Sequence, residues 1–144
     1  DNAKFKLPIS ANYTYTSAKF KNSFSGVELA EWGDVSSGDK LPYIARDQFY
    51  VSVGVVTPKW EGHLNGKYVG KMRSTAGSGV IPDSEVINSN FILDFASEVE
   101  VQEHVRIFLN IENITDEQYI VSRRPIGARP GKPLSFMTGV KYKF

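Results

Sequence analysis

Arginines in glycine- and proline-rich segments are the side chains of this chain best suited to bind a ligand. Arg123, Arg124 and Arg129 lie close together in such a segment. A guanidinium donates two parallel hydrogen bonds to a planar anion, so these arginines are candidates for holding an anionic ligand such as a metal chelate. Aromatic and cationic side chains in similar segments complete the set of candidates: Trp32, Tyr43, Arg46, Arg123, Arg124 and Arg129. The alternative is that these side chains only solvate surface loops.

The chain offers little for catalysis or metal binding. Its two histidines, His63 and His104, lie in different segments without a carboxylate at ligand spacing, and it has no cysteine. We therefore expect no metal site and no cofactor. No nucleophile accompanies either histidine in a triad-like pattern, so we expect no enzymatic activity. Four acidic residues suggest either a substrate-contacting cluster or, as we favour, a solvated polar surface: Glu61, Asp94, Glu98 and Glu112.

Composition limits the classes to which the chain can belong. Its 144 residues suit a single domain spanning 1–144, 41% of them are hydrophobic, and the mean hydropathy is −0.27. No run of residues approaches the roughly 20 apolar positions of a membrane helix. The net charge is +1, which gives no reason to expect nucleic acid as a partner.

The chain must position its candidate residues with strands, because apolar and polar residues alternate along six segments. The last segment shows this most clearly, with Phe136, Val140 and Tyr142 on one face and Gly139 and Lys141 on the other. The six segments are residues 4–16, 49–55, 60–72, 91–99, 105–112 and 136–144. Phe108 is an exception, since it falls on the polar face of the fifth segment. A period of two predicts strands but does not distinguish a lipid-facing strand from one packed on a soluble core.

The connections between these segments alternate strictly between long and short. Long connections lie at about 22–46, 74–88 and 115–132, and tight ones at 57–59 and 101–103. Outer-membrane barrels have this asymmetry, with long loops outside and short turns on the periplasmic side. It predicts polar faces toward the lumen, apolar faces toward lipid and an interfacial Trp60 beside a short turn. A soluble β-sandwich that serves as a binding module is the alternative.

Four ordered motifs resemble those of TonB-dependent outer-membrane receptors. Asn113–Tyr119 (NITDEQY) is similar to their NLFDKxY segment, and residues 124–136 are similar to the GxxRPGxPR loop before the last strand. Residues 13–16 (YTYT) and 38–48 (GDKLPYIARDQ) match two upstream motifs. Ala45 and Asp47 replace the usual proline and histidine of the second of these.

The last strand also resembles the barrel-assembly signal of such receptors. Gly139, Tyr142 and Phe144 match that signal, whereas Met137 stands where a polar residue is usual. The resemblance implies that the end of the chain closes a barrel seam at the periplasmic rim.

The resemblance implies a fold, a function and a set of partners. The expected fold is all-β, an antiparallel transmembrane barrel segment of about six strands from a barrel of about 22. The chain would be the C-terminal part of a receptor whose plug and remaining strands lie elsewhere. The plug would contact TonB, and the barrel would contact lipid and lipopolysaccharide in the bacterial outer membrane.

The implied cargo is a scarce nutrient chelate, such as a ferric siderophore or a ferric citrate-like complex. The resemblance leaves haem, a vitamin or a saccharide as alternative cargoes. The loop arginines would contact either this ligand or lipopolysaccharide.

Overall fold

The chain folds into β-strands and their connections. The computed structural model describes residues 5–25 and 34–144, and within these ranges there is no helix, and therefore none long and apolar enough to cross a membrane. The strands are β1 (Ile9–Tyr15), β2 (Asp47–Val56), β3 (Trp60–Val69), β4 (Met72–Arg73), β5 (Val86–Ile87), β6 (Asn90–Gln102), β7 (Val105–Glu112), β8 (Ile120–Ser122), β9 (Arg129–Pro130) and β10 (Ser135–Tyr142). The all-β prediction is confirmed.

Six of these strands form one antiparallel sheet in the order β1-β2-β3-β6-β7-β10. They correspond one to one with the six segments predicted from alternation. Strands β4–β5 and β8–β9 form two small hairpins within the connections. Among the described residues no second large sheet packs on the main sheet, as a sandwich would require. Strands β1 and β10 lie at its two edges.

The register places apolar residues in continuous rows across one face of the sheet. One row runs through all six strands, and its members are Ile9, Val53, Leu64, Phe95, Ile111 and Phe136. The neighbouring row on the opposite face contains Ser10, Ser52, Asn65 and Asp94. We call these the apolar face and the polar face. A shift of one residue in any strand would exchange its two faces, so the alternation specifies the register.

Phe108 lies on the polar face because glycine leaves room for its ring there. It stands opposite Gly139 of β10. A Cβ atom added to Gly139 would lie 2.7 Å from the Phe108 ring, closer than packed atoms approach. The ring therefore covers the backbone of a neighbouring strand, as aromatic residues do beside glycines in curved sheets.

All three long connections leave the sheet at the same end. The first loop (16–46), second loop (70–89) and third loop (113–134) join strands at this loop end, and two short turns lie at the opposite turn end. The Thr57 hydroxyl stabilises one turn by donating to the Trp60 carbonyl at 2.8 Å. The other turn uses His104 at a φ of 68°. The predicted alternation of long and short connections is confirmed, although the second turn is residues 103–104 rather than 101–103.

Two strands are shorter than the alternation predicted. Strand β1 begins at Ile9, because Pro8 has no N–H for the ladder and contributes only its carbonyl, which accepts from Gly54 at 2.8 Å. Strand β3 ends at Val69, so the prediction that the third alternating segment continues to residue 72, with Met72 on its apolar side, is wrong. The Gly70 N–H donates to the Asp47 carbonyl at 2.8 Å, one position beyond the last pair of the β2–β3 ladder. The chain then leaves the sheet, and Met72 pairs with Ile87 in the β4–β5 hairpin.

Buried side chains collect at the loop end rather than in the sheet. The buried apolar side chains of the described residues are Val35, Ala45 and Ile87, and the buried polar ones are Asp39, Arg73, Ser74, Asn90 and Asn113. In contrast, many large side chains of the apolar face remain exposed, including Leu64 and Phe136. The loop end therefore contains the small core of the molecule and positions the candidate site.

Candidate functional site

A cavity of about 290 Å³ lies where the third loop folds over the polar face. Its floor comes from the sheet and includes Lys67, Ile92 and Asp94. Its roof comes from the third loop and includes Ile120 and Lys132. Charged and apolar groups therefore line one hollow near the loop end.

Asn113 holds this roof in place. Its side chain is almost wholly buried, with 1% exposed, and its backbone takes a φ of 54°, which asparagine tolerates better than most residues. The amide nitrogen of the side chain donates to the carbonyls of Glu117 at 3.0 Å and Lys132 at 2.9 Å, while its oxygen accepts from the Glu117 N–H at 2.9 Å. One side chain thereby joins both ends of the third loop.

The sheet anchors the same residue through its backbone. The Asn113 N–H donates to Asp94 Oδ1 at 2.8 Å. Because Asp94 is a floor residue, this bond joins the loop directly to the polar face. A charge-assisted bond of this kind is stronger than one between neutral groups.

Other residues of the NITDEQY motif also shape the third loop. Asp116 Oδ1 accepts from the Leu134 N–H at 3.1 Å. The Tyr119 ring lies on Gly131, where an added Cβ atom would come within 2.0 Å of it, and the Gly131 N–H donates to the Tyr119 carbonyl at 2.8 Å. The motif therefore determines how the loop folds, and glycine at 131 makes room for the tyrosine.

The cations of the polar face differ in whether they have an acidic partner. Lys132 Nζ lies 2.8 Å from Glu112 Oε2, and this hydrogen bond raises the pKa of Lys132. Arg106 bridges Glu98 at 3.2 Å and Glu100 at 3.1 Å, and Lys141 also pairs with Glu98. The Lys132–Glu112 pair lines the first hollow. The pairs of Arg106 and Lys141 lie on β6, β7 and β10, where Glu98 and Lys141 line a second hollow of about 350 Å³.

Lys67 is exposed on the polar face and has no ion pair among residues 5–25 and 34–144. Its cross-strand neighbours are Tyr50 and Ile92, neither of which carries a charge. The nearby Asp94 is committed to the Asn113 N–H. Lys67 also borders a third hollow of about 450 Å³ on the β1–β2 side.

Two of the predicted ligand-contact residues meet at the loop end. The Tyr43 hydroxyl oxygen accepts from the Arg123 N–H at 3.4 Å and from the Ser122 hydroxyl at 3.5 Å. Arg123 Nε donates to the Val86 carbonyl at 2.8 Å, and the Tyr43 N–H donates to the Arg73 carbonyl at 2.8 Å. Tyr43 and Arg123 therefore connect the three loops to one another.

The remaining candidates lie apart from this junction or outside the described residues. Arg46 Nε donates to Asp47 Oδ2 at 2.8 Å, and its guanidinium lies 6.0 Å from the centre of the Tyr15 ring. Arg124 is half-buried next to Arg123, and Arg129 is exposed on β9.

Trp32 lies outside the described residues. Ligand contact by all six candidates stays a prediction. No group of three or more acidic or histidine side chains in the described part of the chain is arranged to hold a metal ion.

The residues that match the assembly signal lie on the edge strand and just beyond it. Gly139 lies under the Phe108 ring, and the rings of Tyr142 and Phe144 are 5.8 Å apart. Tyr142 and Phe144 are exposed. The Lys143 N–H donates to the His104 carbonyl at 3.0 Å, which ties the end of β10 to the adjacent turn.

Sequence reasoning missed Lys67, Asn113 and the Tyr119–Gly131 contact as parts of this site. Lys67 lies in the third alternating segment, and its local sequence does not distinguish it from the other polar residues there. The motif that contains Asn113 and Tyr119 was used only for its resemblance to a family. Asparagine adopts a positive φ more often than most residues, and this preference was the available signal for a tight turn.

Comparison with known proteins gives a structural match but no sequence match. No protein-family model and no curated protein matches the chain. The ferric-catecholate import receptor Fiu of E. coli K12 in its closed form matches 95% of the chain with a TM-score of 0.69 and 20% identity. Its open form matches 74% of the chain with a TM-score of 0.60 and 20% identity.

The chain spans about a fifth of the receptor that it matches, 19% of the closed form and 18% of the open form. At 20% identity such a likeness establishes the fold. The chain has the fold of a segment of this import receptor, which confirms, at the level of the fold, the resemblance to TonB-dependent receptors indicated by its motifs.

Proposed function

We propose that this chain forms part of the barrel wall of a TonB-dependent outer-membrane receptor that imports a ferric chelate. The observation that carries the proposal is the two-faced six-stranded sheet with every long loop at one end. Continuous apolar rows on one face suit lipid, and a polar opposite face suits a lumen. The fold shared with a ferric-catecholate import receptor supports the cargo class.

The edges of the sheet support a larger assembly. Strands β1 and β10 each pair with one neighbour among the described residues. Unpaired backbone groups have no water to bind within a bilayer, so both edges need further strands. We infer that the rest of a barrel of about 22 strands, together with a plug that contacts TonB, completes the protein.

The orientation follows from the loops. The loop end faces the outside, and the turn end with Phe144 faces the periplasm. Trp60 supports this orientation, since it lies on the apolar face beside a short turn, where interfacial aromatic residues are enriched. Its indole N–H donates to the Ser97 hydroxyl at 2.9 Å.

Iron uptake by cells tests the proposed function. A strain without other ferric-catecholate receptors would express the complete receptor and receive radiolabelled ferric tris(2,3-dihydroxybenzoate). We expect uptake in cells with TonB and none in cells without it. Uptake that is absent in both, or that does not depend on TonB, would contradict the proposal.

Purification tests the barrel assignment separately. We expect the receptor to require detergent and to migrate differently on a gel before and after heating. If the 16.1 kDa chain alone were soluble, folded and monomeric without detergent, the barrel assignment would be wrong.

A further inference from the structure

We propose that Lys67 binds an anionic arm of the imported chelate in the cavity beneath the third loop. This inference rests on the proposed function and adds a residue and a ligand chemistry to it. This lysine is not among the ligand-contact residues predicted from the sequence.

The charge distribution of the polar face is the first argument. Arg106, Lys132 and Lys141 each have a carboxylate within ion-pair distance. Lys67 has none in the described ranges 5–25 and 34–144, and Tyr50 and Ile92 flank it across the strands. A cation outside any ion pair is available to an anion that arrives from outside.

The surrounding cavity is the second argument. Lys67 borders both the hollow of about 290 Å³ under the third loop and the adjoining hollow of about 450 Å³. Ligand pockets typically have volumes of roughly 300–1,000 Å³. Either hollow therefore suits one arm of a chelate better than a complete large complex.

The lining of the smaller hollow specifies the chemistry of that arm. Ile92 on the floor and Ile120 on the roof offer apolar surface, and Lys67 offers an ammonium group. Of the two acidic residues of the same hollow, Glu112 is ion-paired with Lys132, whereas Asp94 accepts from the Asn113 N–H and is not within ion-pair distance of Lys67. An arm that combines a flat apolar body with a carboxylate or phenolate fits this arrangement.

Three variants of the complete receptor in detergent test the proposal. Lys67→Met removes the charge, Lys67→Arg keeps it, and Lys59→Met removes an exposed charge at the turn end as a matched control. Binding of ferric tris(2,3-dihydroxybenzoate) and of ferric citrate would be measured by calorimetry at several salt concentrations. The thermal transition of the ligand-free protein would be recorded for each variant.

We expect Lys67→Met to weaken the binding of at least one of these anionic chelates about tenfold, because a hydrogen-bonded charge is lost. Its binding should also depend less on salt than that of the wild type. Lys67→Arg should stay within about threefold of the wild type. Lys59→Met should bind as the wild type does, and no variant should shift the thermal transition.

Three results would overturn the inference in distinguishable ways. Wild-type affinity and salt dependence in Lys67→Met would remove Lys67 from the ligand site and leave the proposed function intact. A lowered thermal transition without ligand would assign Lys67 to an acidic partner within the protein. A wild-type receptor that binds neither ferric chelate would remove the proposed function and this inference together.

Discussion

The loop end and the sheet of this molecule differ in what stabilises them. At the loop end, side chains such as Ile87 and Asn113 are buried by other parts of the same chain. In the sheet, both faces leave large side chains exposed, and neighbouring strands are joined by backbone hydrogen bonds. The loop end carries its own small core, whereas the described part of the chain leaves many large apolar side chains of the sheet uncovered.

This difference assigns separate roles to the two regions. An exposed apolar face of six strands is far larger than the patches that soluble monomers usually show, which suits a wall between lipid and a lumen. The loop end connects its three loops through Tyr43, Arg123 and Asn113. Under the proposed function, the loop end would form a structured mouth and the sheet would form the wall below it. Substitutions should therefore affect the two regions independently.

A charge on the apolar face should have the largest effect. Leu64 lies in the middle of β3 on that face, and Asn65 lies beside it on the polar face. Leu64→Arg should destabilise the folded barrel by about 2–4 kcal/mol, since a cation near the bilayer midplane loses its hydration. Asn65→Arg is the matched control and should cost little. Refolding into lipid vesicles, followed by heat-modifiable gel migration, measures the folded fraction of both variants. An equal loss of folded protein in the two variants would contradict the assignment of faces.

Loss of the Asn113 side chain should damage the loop end but not the sheet. Asn113→Ala removes three hydrogen bonds made by a buried side chain, which should destabilise the third loop by about 2–3 kcal/mol. Hydrogen exchange should accelerate in residues 113–134 and stay unchanged in β2 and β3. Asn110→Ala, on the polar face of β7, serves as the control. Faster exchange throughout the sheet would show that the two regions are coupled.

Crowding of the Tyr119 ring should have a smaller effect on the same loop. Gly131→Ala places a methyl group where the ring lies, and a half-exposed ring can move aside, so we expect a cost of about 1 kcal/mol. In a background with Tyr119→Ala, the same substitution should cost almost nothing. Hydrogen exchange of the third loop measures this double-mutant cycle. Additive effects would show that the ring and the glycine do not interact.

The ion pair between Lys132 and Glu112 should have the smallest effect. Both side chains are largely exposed, and exposed ion pairs contribute little to stability. The raised pKa of Lys132 means that any contribution is complete at neutral pH and is lost only as the pH rises through that pKa. Glu112→Gln should therefore lower the pKa of Lys132 toward its ordinary value, as measured by NMR titration of isotopically methylated lysine. An unchanged pKa would show that the pair does not form in solution.

Local patterns were sufficient to predict the sheet. Alternation assigned Leu64 and Phe136 to one face and Asn65 to the other, and the structure places them so. The lengths of the connections predicted which end of the sheet carries the loops. The sequence also indicated the exception at Phe108 but not its reason, since the opposing Gly139 lies on another strand.

Contacts between distant residues explain what the sequence could not predict. Met72 fits the apolar alternation of β3, but it pairs with Ile87 in the separate β4–β5 hairpin. Tyr43 and Arg123 were selected for their chemistry alone, and their contact across the loops was not foreseen. No local pattern distinguishes Lys67 from Lys132, because the difference is a carboxylate on another strand.

The amino-acid sequence by itself determined the strands, their faces and their order along the chain. These depend on side-chain alternation and on turn-forming residues, which act over a few positions. Only the tertiary structure decided that Asn113 holds the third loop over the polar face, that a cavity forms beneath it and that Lys67 faces that cavity without an ion pair among residues 5–25 and 34–144. These features depend on hydrogen bonds and charges brought together from separate strands and loops, and such long-range pairing is not encoded in any single segment.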